Sequence, residues 1–168
     1  DFGAGKGGVL WIDNLDEADG TLDQFKEFFA DEKQKKVWHN YSFDRAVLYN
    51  HDIDTKGFGG DTMHMARLWD SSRKSYSLAA LSVDYLGSDM HKTDMKSIFG
   101  RPELKKDGTE GKKIGLAPIE VLQRMPETRN DFIKYSSLDA LATWQLHNVL
   151  ESNLKVMKWA KGKSMLDF

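Results

Sequence analysis

The sequence predicts an α/β fold, because short strand-like runs alternate with segments whose apolar residues recur at helical spacing. Val9–Asp13 is an apolar run that follows a cluster of glycines, which is typical of a strand leaving a turn. Lys36–His39 is the second predicted strand. Length and composition fit this class, since 168 residues with 40% hydrophobic side chains are enough for one domain with a substantial core.

A helix is predicted after each of these strands. Thr21 is a typical N-cap residue, because its hydroxyl can accept a hydrogen bond from a backbone N–H of the first turn. The apolar side chains that follow it at helical spacing are Leu22, Phe25, Phe28 and Phe29. The strand Lys36–His39 leads through Asn40–Asp44 into a second helix that includes Val47 and Leu48.

Further helices are predicted from caps and periodicity. Asp61 and Ser77 are typical N-cap residues, and the helix that begins after Ser77 is expected to end at Gly87. A long helix is expected from about Asn130 to Leu154. Helices that follow strands in this order are typical of a layered α/β domain.

Two segments lack such patterns. Gly100–Gly115 is rich in glycine and lysine with almost no apolar periodicity, which predicts an exposed loop. The candidates in this loop for contacts with a phosphate backbone are Lys105, Lys106, Lys112 and Lys113. Lys155–Phe168 is basic and contains glycine, as is typical of a linker to a downstream domain. We therefore expect one domain over residues 1–154, in a fragment that begins at Asp1 without an initiator methionine.

The composition excludes several classes of site. The chain has no cysteine, so it forms no disulfide, no thiolate zinc site and no cysteine nucleophile. Its formal net charge of -2 means that any contact with nucleic acid has to be made by a local site. No apolar run is long enough to cross a bilayer, and we expect an intracellular protein that does not bind membranes.

Two groups of residues are candidates for chemistry. Tyr135 and Asp139 are four residues apart on the predicted long helix, which places a phenol and a carboxylate on one face. Asn40, Phe43 and Asp44 lie at a strand-to-helix junction, where the helix dipole alone is a sufficient reason for an acidic residue. Together the two groups suit phosphodiester hydrolysis, because hard divalent cations are held by carboxylates from separate elements.

The order of several motifs resembles one known family. Residues 37–44, Val-Trp-His-Asn-Tyr-Ser-Phe-Asp, resemble the second exonuclease motif of DNA polymerase I-like polymerases, and residues 134–140 resemble their third motif, Tyr-x-x-x-Asp. Residues 61–63, 77–81 and 142–147 resemble the segments between and after these motifs, so the resemblance covers nearly the whole chain. Residues 61–70 and 164–168 look most like the plant and protist organellar branch.

The resemblance implies a ribonuclease H-like mixed sheet flanked by helices, two Mg²⁺ or Mn²⁺ ions, and stepwise removal of nucleotides from a 3′ end. Asp44 and Asp139 would be metal ligands, and Tyr135 would position the attacking water. Asn40 and Phe43 would contact the terminal nucleotide. A tyrosine in the third motif, where related enzymes have histidine, places the chain in the tyrosine subclass of these nucleases.

One motif of the family is not found. Its first motif is Asp-x-Glu on the initial strand, whereas Asp13 is followed two residues later by Leu15. Two of the usual four carboxylates are therefore missing, and we expect an incomplete first strand and a fragment that is nearly inactive by itself.

The implied function is metal-dependent proofreading of single-stranded or frayed DNA 3′ ends, beside a polymerase domain of the same polypeptide. We expect a monomer, and the resemblance points to a mitochondrion or plastid. Two alternatives remain open from the sequence. One is a degenerate domain that only binds single strands or has a structural role, and the other is a ribonuclease D-like exonuclease that acts on RNA 3′ ends.

Overall fold

The computed structural model describes residues 8–87, 94–158 and 162–166. In this part of the chain, strands β1 (Lys36–Trp38) and β2 (Phe58–Asp61) form a parallel sheet, and β3 (Arg101–Leu104) and β4 (Glu110–Gly115) form an antiparallel hairpin. The helices are α1 (Lys26–Ala30), α2 (Tyr41–Tyr49), α3 (Thr62–Trp69), α4 (Leu78–Leu86), α5 (Met95–Phe99), α6 (Ile119–Arg124) and α7 (Pro126–Val156). The predicted α/β class is confirmed.

The parallel sheet brings two chain segments to one edge. Val37 lies opposite Gly60 and Trp38 lies opposite Asp61, so β1 and β2 end side by side. Helix α2 begins directly after β1, and α3 begins directly after β2. Because the carboxyl ends of parallel strands share an edge of the sheet, the starts of both helices lie close together.

Helix α7 forms the main core with α3 and α4. Four of its buried side chains recur every four residues, which places them on one face of the helix: Ala142, Leu146, Leu150 and Leu154. They pack against Met65 and Ala66 of α3 and against Leu78 and Leu81 of α4. The core therefore holds α7 against α3, whose first residue follows the end of β2.

A second cluster lies nearer the start of α7. It consists of Phe99, Leu122 and Phe132, which are all buried. Trp11 and Tyr135 are partly buried against it. The beginning of α7 is thus fixed by α5 and α6, whereas its later turns are fixed by α3 and α4.

Val9–Asp13 was predicted to be a strand, and that prediction is wrong. Trp11 packs on helices instead, since it joins the second cluster and Arg129 lies 5.3 Å from the centre of its ring, whereas Val9 and Leu10 are exposed. Asp13 accepts hydrogen bonds from Arg129 Nη2 at 2.8 Å and from Gln123 Nε2 at 2.9 Å. A short apolar run occurs both in buried strands and in irregular segments that pack on helices, so the sequence pattern does not distinguish these two structures.

The predicted exposure of Gly100–Gly115 is confirmed, whereas the prediction that this segment is a loop is wrong. The segment is the hairpin of β3 and β4, with Pro102 opposite Ile114 and Leu104 opposite Glu110. The turn contains Gly108 at φ 83°, a conformation that glycine adopts without steric cost. Polar, exposed strands carry no apolar alternation, which is why the pattern did not reveal them.

The remaining boundaries differ in detail. Thr21 is the first residue of a short 3-10 helix rather than an N-cap, and its hydroxyl donates to the carbonyl of Ala18 at 2.6 Å. Helix α7 starts earlier than predicted, at Pro126, whose fixed φ suits a first helical position. It also continues to Val156, beyond the expected domain end at residue 154. No helix in the described ranges is long and apolar enough to cross a membrane.

Candidate active site

The turn between β1 and α2 is held by a buried carboxylate from the neighbouring strand. Asn40 has a left-handed conformation, with φ 66° and ψ 56°, which reverses the chain before α2. Asp61 Oδ1 accepts from the backbone N–H of Asn40 at 3.1 Å, and Oδ2 accepts from that of Tyr41 at 2.8 Å. Asp61 Oδ1 also accepts from the N–H of Met63 at 2.9 Å, which confirms the predicted cap of α3.

Thr62 continues this connection between the two strands. Its hydroxyl is fully buried and donates to the carbonyl oxygen of Trp38 at 3.2 Å. The Oγ1 atom of Thr62 also lies 2.8 Å from His39 Nδ1. Because a hydroxyl has one hydrogen, a Thr62 hydroxyl that donates to Trp38 can only accept from His39 Nδ1. The residues on both sides of Asn40 are thus tied to the start of α3.

Asp44 lies in the first turn of α2 and is half-buried. Burial raises the pKa of its carboxyl group above the usual range, because loss of water disfavours the charged form. The negative charge of Asp61 raises that pKa further. A carboxylate in these surroundings gains free energy when a cation approaches, since the cation replaces lost hydration and screens the neighbouring charge.

One cavity of about 1120 Å³ brings the two predicted acids together. Asp44 of α2 and Asp139 of α7 both line it, and so does Asn40. The elements that carry them are positioned separately, α2 by Asp61 and α7 by the core with α3 and α4. Two carboxylates that are distant in the sequence therefore face a common space.

Tyr135 and Phe43 are placed differently. Neither is among the described residues that line this cavity. Tyr135 lies one helical turn before Asp139 and is partly buried against the second cluster, with its ring edge-on to Phe99 at a centroid distance of 6.2 Å. Phe43 is 65% exposed next to Asp44. The roles predicted for these two residues stay predictions.

A family model described as 3′-5′ exonuclease matches residues 2–155 of the chain. The chain belongs to this exonuclease family.

Curated relatives of the exonuclease chain are plant polymerases. It is 45% identical, over its whole length, to DNA polymerase I A, chloroplastic/mitochondrial, of Arabidopsis thaliana. It is 47% identical over 95% of its length to DNA polymerase I A, chloroplastic, and 46% identical over 95% to DNA polymerase I B, mitochondrial, both of Oryza sativa subsp. japonica. The chain spans 16 to 18% of the length of these relatives.

Exonucleases of this family use divalent metal ions. Carboxylate oxygens are the ligands that hard divalent cations prefer, so Asp44 and Asp139 fit such an ion. In the described part of the exonuclease chain, no group of three or more His, Cys, Asp or Glu residues could hold a metal ion. The cavity thus holds two of the carboxylates that the motifs imply, Asp44 and Asp139.

The cavity of the exonuclease chain also has a basic side that sequence reasoning did not assign. Lys35, Arg67 and Lys74 line it together with the acids. The guanidinium of Arg67 lies 5.1 Å from the ring centre of Tyr76, which also lines the cavity. No local pattern marks these residues, because they meet only when α3 and the segment before α4 are folded next to α7.

Beneath the cavity, β2 and α7 approach each other closely. Trp144 lines the cavity and stacks on His147 at a centroid distance of 6.0 Å. His147 is buried, and a Cβ atom added to Gly60 would lie 3.0 Å from its Cδ2 and Nε2 atoms and 3.2 Å from Met65 Sδ. A side chain at position 60 would therefore require His147 and Met65 to move by a few tenths of an ångström, which glycine avoids.

Proposed function

We propose that the chain is the proofreading domain of an organellar DNA polymerase and removes nucleotides from single-stranded or frayed DNA 3′ ends. The observation that carries this proposal is the meeting of Asp44 and Asp139 in one cavity of a 3′-5′ exonuclease chain. The names of the plant relatives support both the polymerase and the organelle, a mitochondrion or plastid.

Each predicted site residue has a role in this proposal. Asp44 and Asp139 hold Mg²⁺ or Mn²⁺ in a two-metal site, and such ions stabilise the attacking and the leaving oxygen of a phosphodiester. Tyr135 orients the attacking water from the turn before Asp139. Asn40 and Phe43 contact the terminal nucleotide, which lies beside the turn that carries Asp44.

The names of the plant relatives support a polymerase as the partner. The polymerase domain belongs to the same polypeptide, it follows residue 154 after a short linker, and the polypeptide acts as a monomer. Met157 and Met165, which lie in the proposed linker, pack against the main core. This contact gives the downstream domain a fixed point of attachment.

The two acids are tested in the full-length polypeptide by single-turnover release of nucleotides from a DNA primer with a mismatched 3′ end. Asp44→Asn and Asp139→Asn should each slow the release about 100-fold or more, because each removes charge that stabilises the transition state. Asp131→Asn is the matched control, since this acid lies on α7 but is exposed and pairs with Lys134 at 3.8 Å. Unchanged rates in both variants would contradict the proposal.

The substrate preference of the full-length polypeptide is measured with DNA and RNA strands. We expect faster release from a DNA 3′ end than from an RNA 3′ end of the same sequence. The reverse preference would identify the chain as an exonuclease of the ribonuclease D type.

A non-catalytic domain is the second candidate, and one observation favours it. In the described ranges, two carboxylates face the cavity where the family motifs imply four. This candidate predicts that Asp44→Ala and Asp139→Ala leave both the nuclease activity and the metal affinity of the full-length polypeptide unchanged.

A further inference from the structure

A buried acid outside the predicted site holds the turn on which two site residues lie. Asp61 is only 3% exposed, although carboxylates are rarely buried without compensation. Three backbone N–H groups supply that compensation, and they come from two chain segments. Two of them belong to Asn40 and Tyr41, whereas the third belongs to Met63 at the start of α3.

This arrangement makes one carboxylate the cap of two helices. Asn40 is the N-cap residue of α2, and its side chain makes no capping hydrogen bond there. The first N–H of α2, that of Tyr41, is satisfied by Asp61 instead. A negative group at both helix starts also faces the positive ends of the two helix dipoles.

We propose that Asp61 is a positioning residue of the exonuclease site, which sets Asn40 and Asp44 against Asp139 through the backbone of the β1–α2 turn. The inference rests on the proposed function, because it assigns Asn40 to the nucleotide and Asp44 to the cation. Asp61 acts on both at once, since they lie on opposite sides of the Tyr41 N–H that it holds. Asp61 itself touches neither substrate nor cation.

The chemistry of the three bonds requires an acid rather than an amide. Oδ1 already accepts from Asn40 and Met63, and Oδ2 accepts from Tyr41. An asparagine at position 61 can keep the first two bonds through its oxygen. Its NH₂ group then faces the N–H of Tyr41, and two donors repel each other. The substitution Asp61→Asn is therefore nearly isosteric, and it removes one bond at the start of α2 together with the negative charge that lies 3.8 Å from His64 Nε2.

The test measures two affinities of the full-length polypeptide. Binding of a DNA strand that ends in 2-aminopurine is followed by fluorescence in the presence of a chelator, and the Mn²⁺ concentration for half-maximal nucleotide release is measured separately. Asp61→Asn should weaken both by about 10-fold, the lower range for residues that orient metal ligands through hydrogen bonds. Asn40→Ala should weaken strand binding alone, and Asp44→Asn should weaken the response to Mn²⁺ alone.

Asp94→Asn is the matched control. Asp94 also caps a helix, accepting from the N–H groups of Lys96 and Ser97 at 2.9 and 3.1 Å, but it is exposed and lies at α5. It should change neither affinity. If Asp61→Asn changes no more than Asp94→Asn, the positioning role is overturned, whereas wild-type polypeptide that releases no nucleotides would instead overturn the proposed function.

Two further measurements decide the matter if Asp61→Asn does not fold. Asp61→Ser keeps an N-cap for α3 but is too short for the bonds to Asn40 and Tyr41, so it should fold and lose both affinities. In the wild-type protein, the amides of Asn40 and Tyr41 should exchange hydrogen as slowly as those inside α3. Fast exchange at both amides, or unchanged affinities in folded Asp61→Ser, would overturn the proposal.

Discussion

Asp44 carries a cost in stability when no cation is present. Burial, and then the charge of Asp61, raise the pKa of its carboxyl group in the folded protein. The unfolded chain releases this proton at lower pH than the folded one. The free energy of unfolding therefore falls as the pH rises from the pKa of Asp44 in the unfolded chain to its pKa in the folded protein. Above the folded pKa the cost is fully present.

Asp44→Asn should therefore raise the Tm at neutral pH in the presence of a chelator, even though it slows nucleotide release about 100-fold or more. The difference in Tm should shrink as the pH is lowered through the pKa of Asp44, because the wild-type carboxyl group is then also neutral. Differential scanning calorimetry of both proteins checks this. A Tm equal to or below that of the wild type at neutral pH would show that ionised Asp44 is well solvated or paired.

Asp13 has the opposite effect on the pH dependence of the free energy of unfolding. The hydrogen bond from Arg129 holds the pKa of its carboxyl group below the usual range, so its contribution to stability is present at neutral pH and is lost as the pH falls through the folded pKa. Arg129→Met should lower the free energy of unfolding by about 1 kcal/mol, the value for a charged pair at the edge of the core.

Urea titration at several pH values checks the Asp13 prediction. The effect of Arg129→Met should disappear in acid, where Asp13 is protonated in the wild type as well. An effect of the same size at every pH would assign it to lost packing on Trp11 instead.

For single residues, the sequence pointed to Asp44, Asp139 and Asp61 but not to all of their hydrogen-bond partners. Asp44 and Asp139 could be predicted because each belongs to a local motif with a defined spacing. The cap formed by Asp61 on α3 was predicted for the same reason. Its bonds to Asn40 and Tyr41 could not be, since they exist only because β2 lies parallel to β1 with Trp38 opposite Asp61.

Among the elements, α7 contributes most to the main core. Leu146 is fully buried between α3 and α4, so Leu146→Ala should lower the free energy of unfolding by about 3 kcal/mol through lost burial and the cavity left behind. Leu138→Ala on the same helix is the matched control, because Leu138 is 53% exposed and should change it by less than about 0.5 kcal/mol. Equal losses in urea titrations would mean that α7 is packed differently.

The predictability of the elements follows from how they are buried. Helices α3, α4 and α7 carry apolar residues on one face, α3 and α4 also have side-chain N-caps, and all three were predicted. The conformations of Val9–Asp13 and the β3–β4 hairpin were not predicted, because the first segment packs Trp11 on helices and the second exposes both polar strands. In both segments, tertiary contacts and the turn at Gly108 decide the conformation, not the period of the apolar residues.

For the whole molecule, three basic side chains line the cavity although the chain as a whole has a negative net charge. The formal net charge is -2, yet Lys35, Arg67 and Lys74 line the cavity. We expect Lys74→Ser to weaken strand binding and to reduce the slope of log Kd against log salt by about one, as is expected for one lost phosphate contact. Lys155→Ser, on the exposed end of α7 beside Glu151, is the control and should leave the slope unchanged. If both variants have the same slope of log Kd against log salt, the DNA strand does not contact Lys74 in the cavity.

The family and the fold class were predictable at this scale, and the family model and relatives confirm both. The order of motifs along the chain carried that information, because two exonuclease motifs and the segments around them occur in the family's order over nearly the whole chain. The packing of Tyr135 on Phe99 was not predictable, since Phe99 belongs to α5, which no motif marks.

The close approach of Gly60 to His147 limits how this sequence can vary over evolution. Any larger residue at position 60 would place its Cβ atom 3.0 Å from the imidazole ring of His147, so the ring would have to shift before the substitution is accepted. We expect lineages that replace Gly60 to carry a smaller residue at position 147 as well. The two positions should therefore change together, although they lie far apart in the gene.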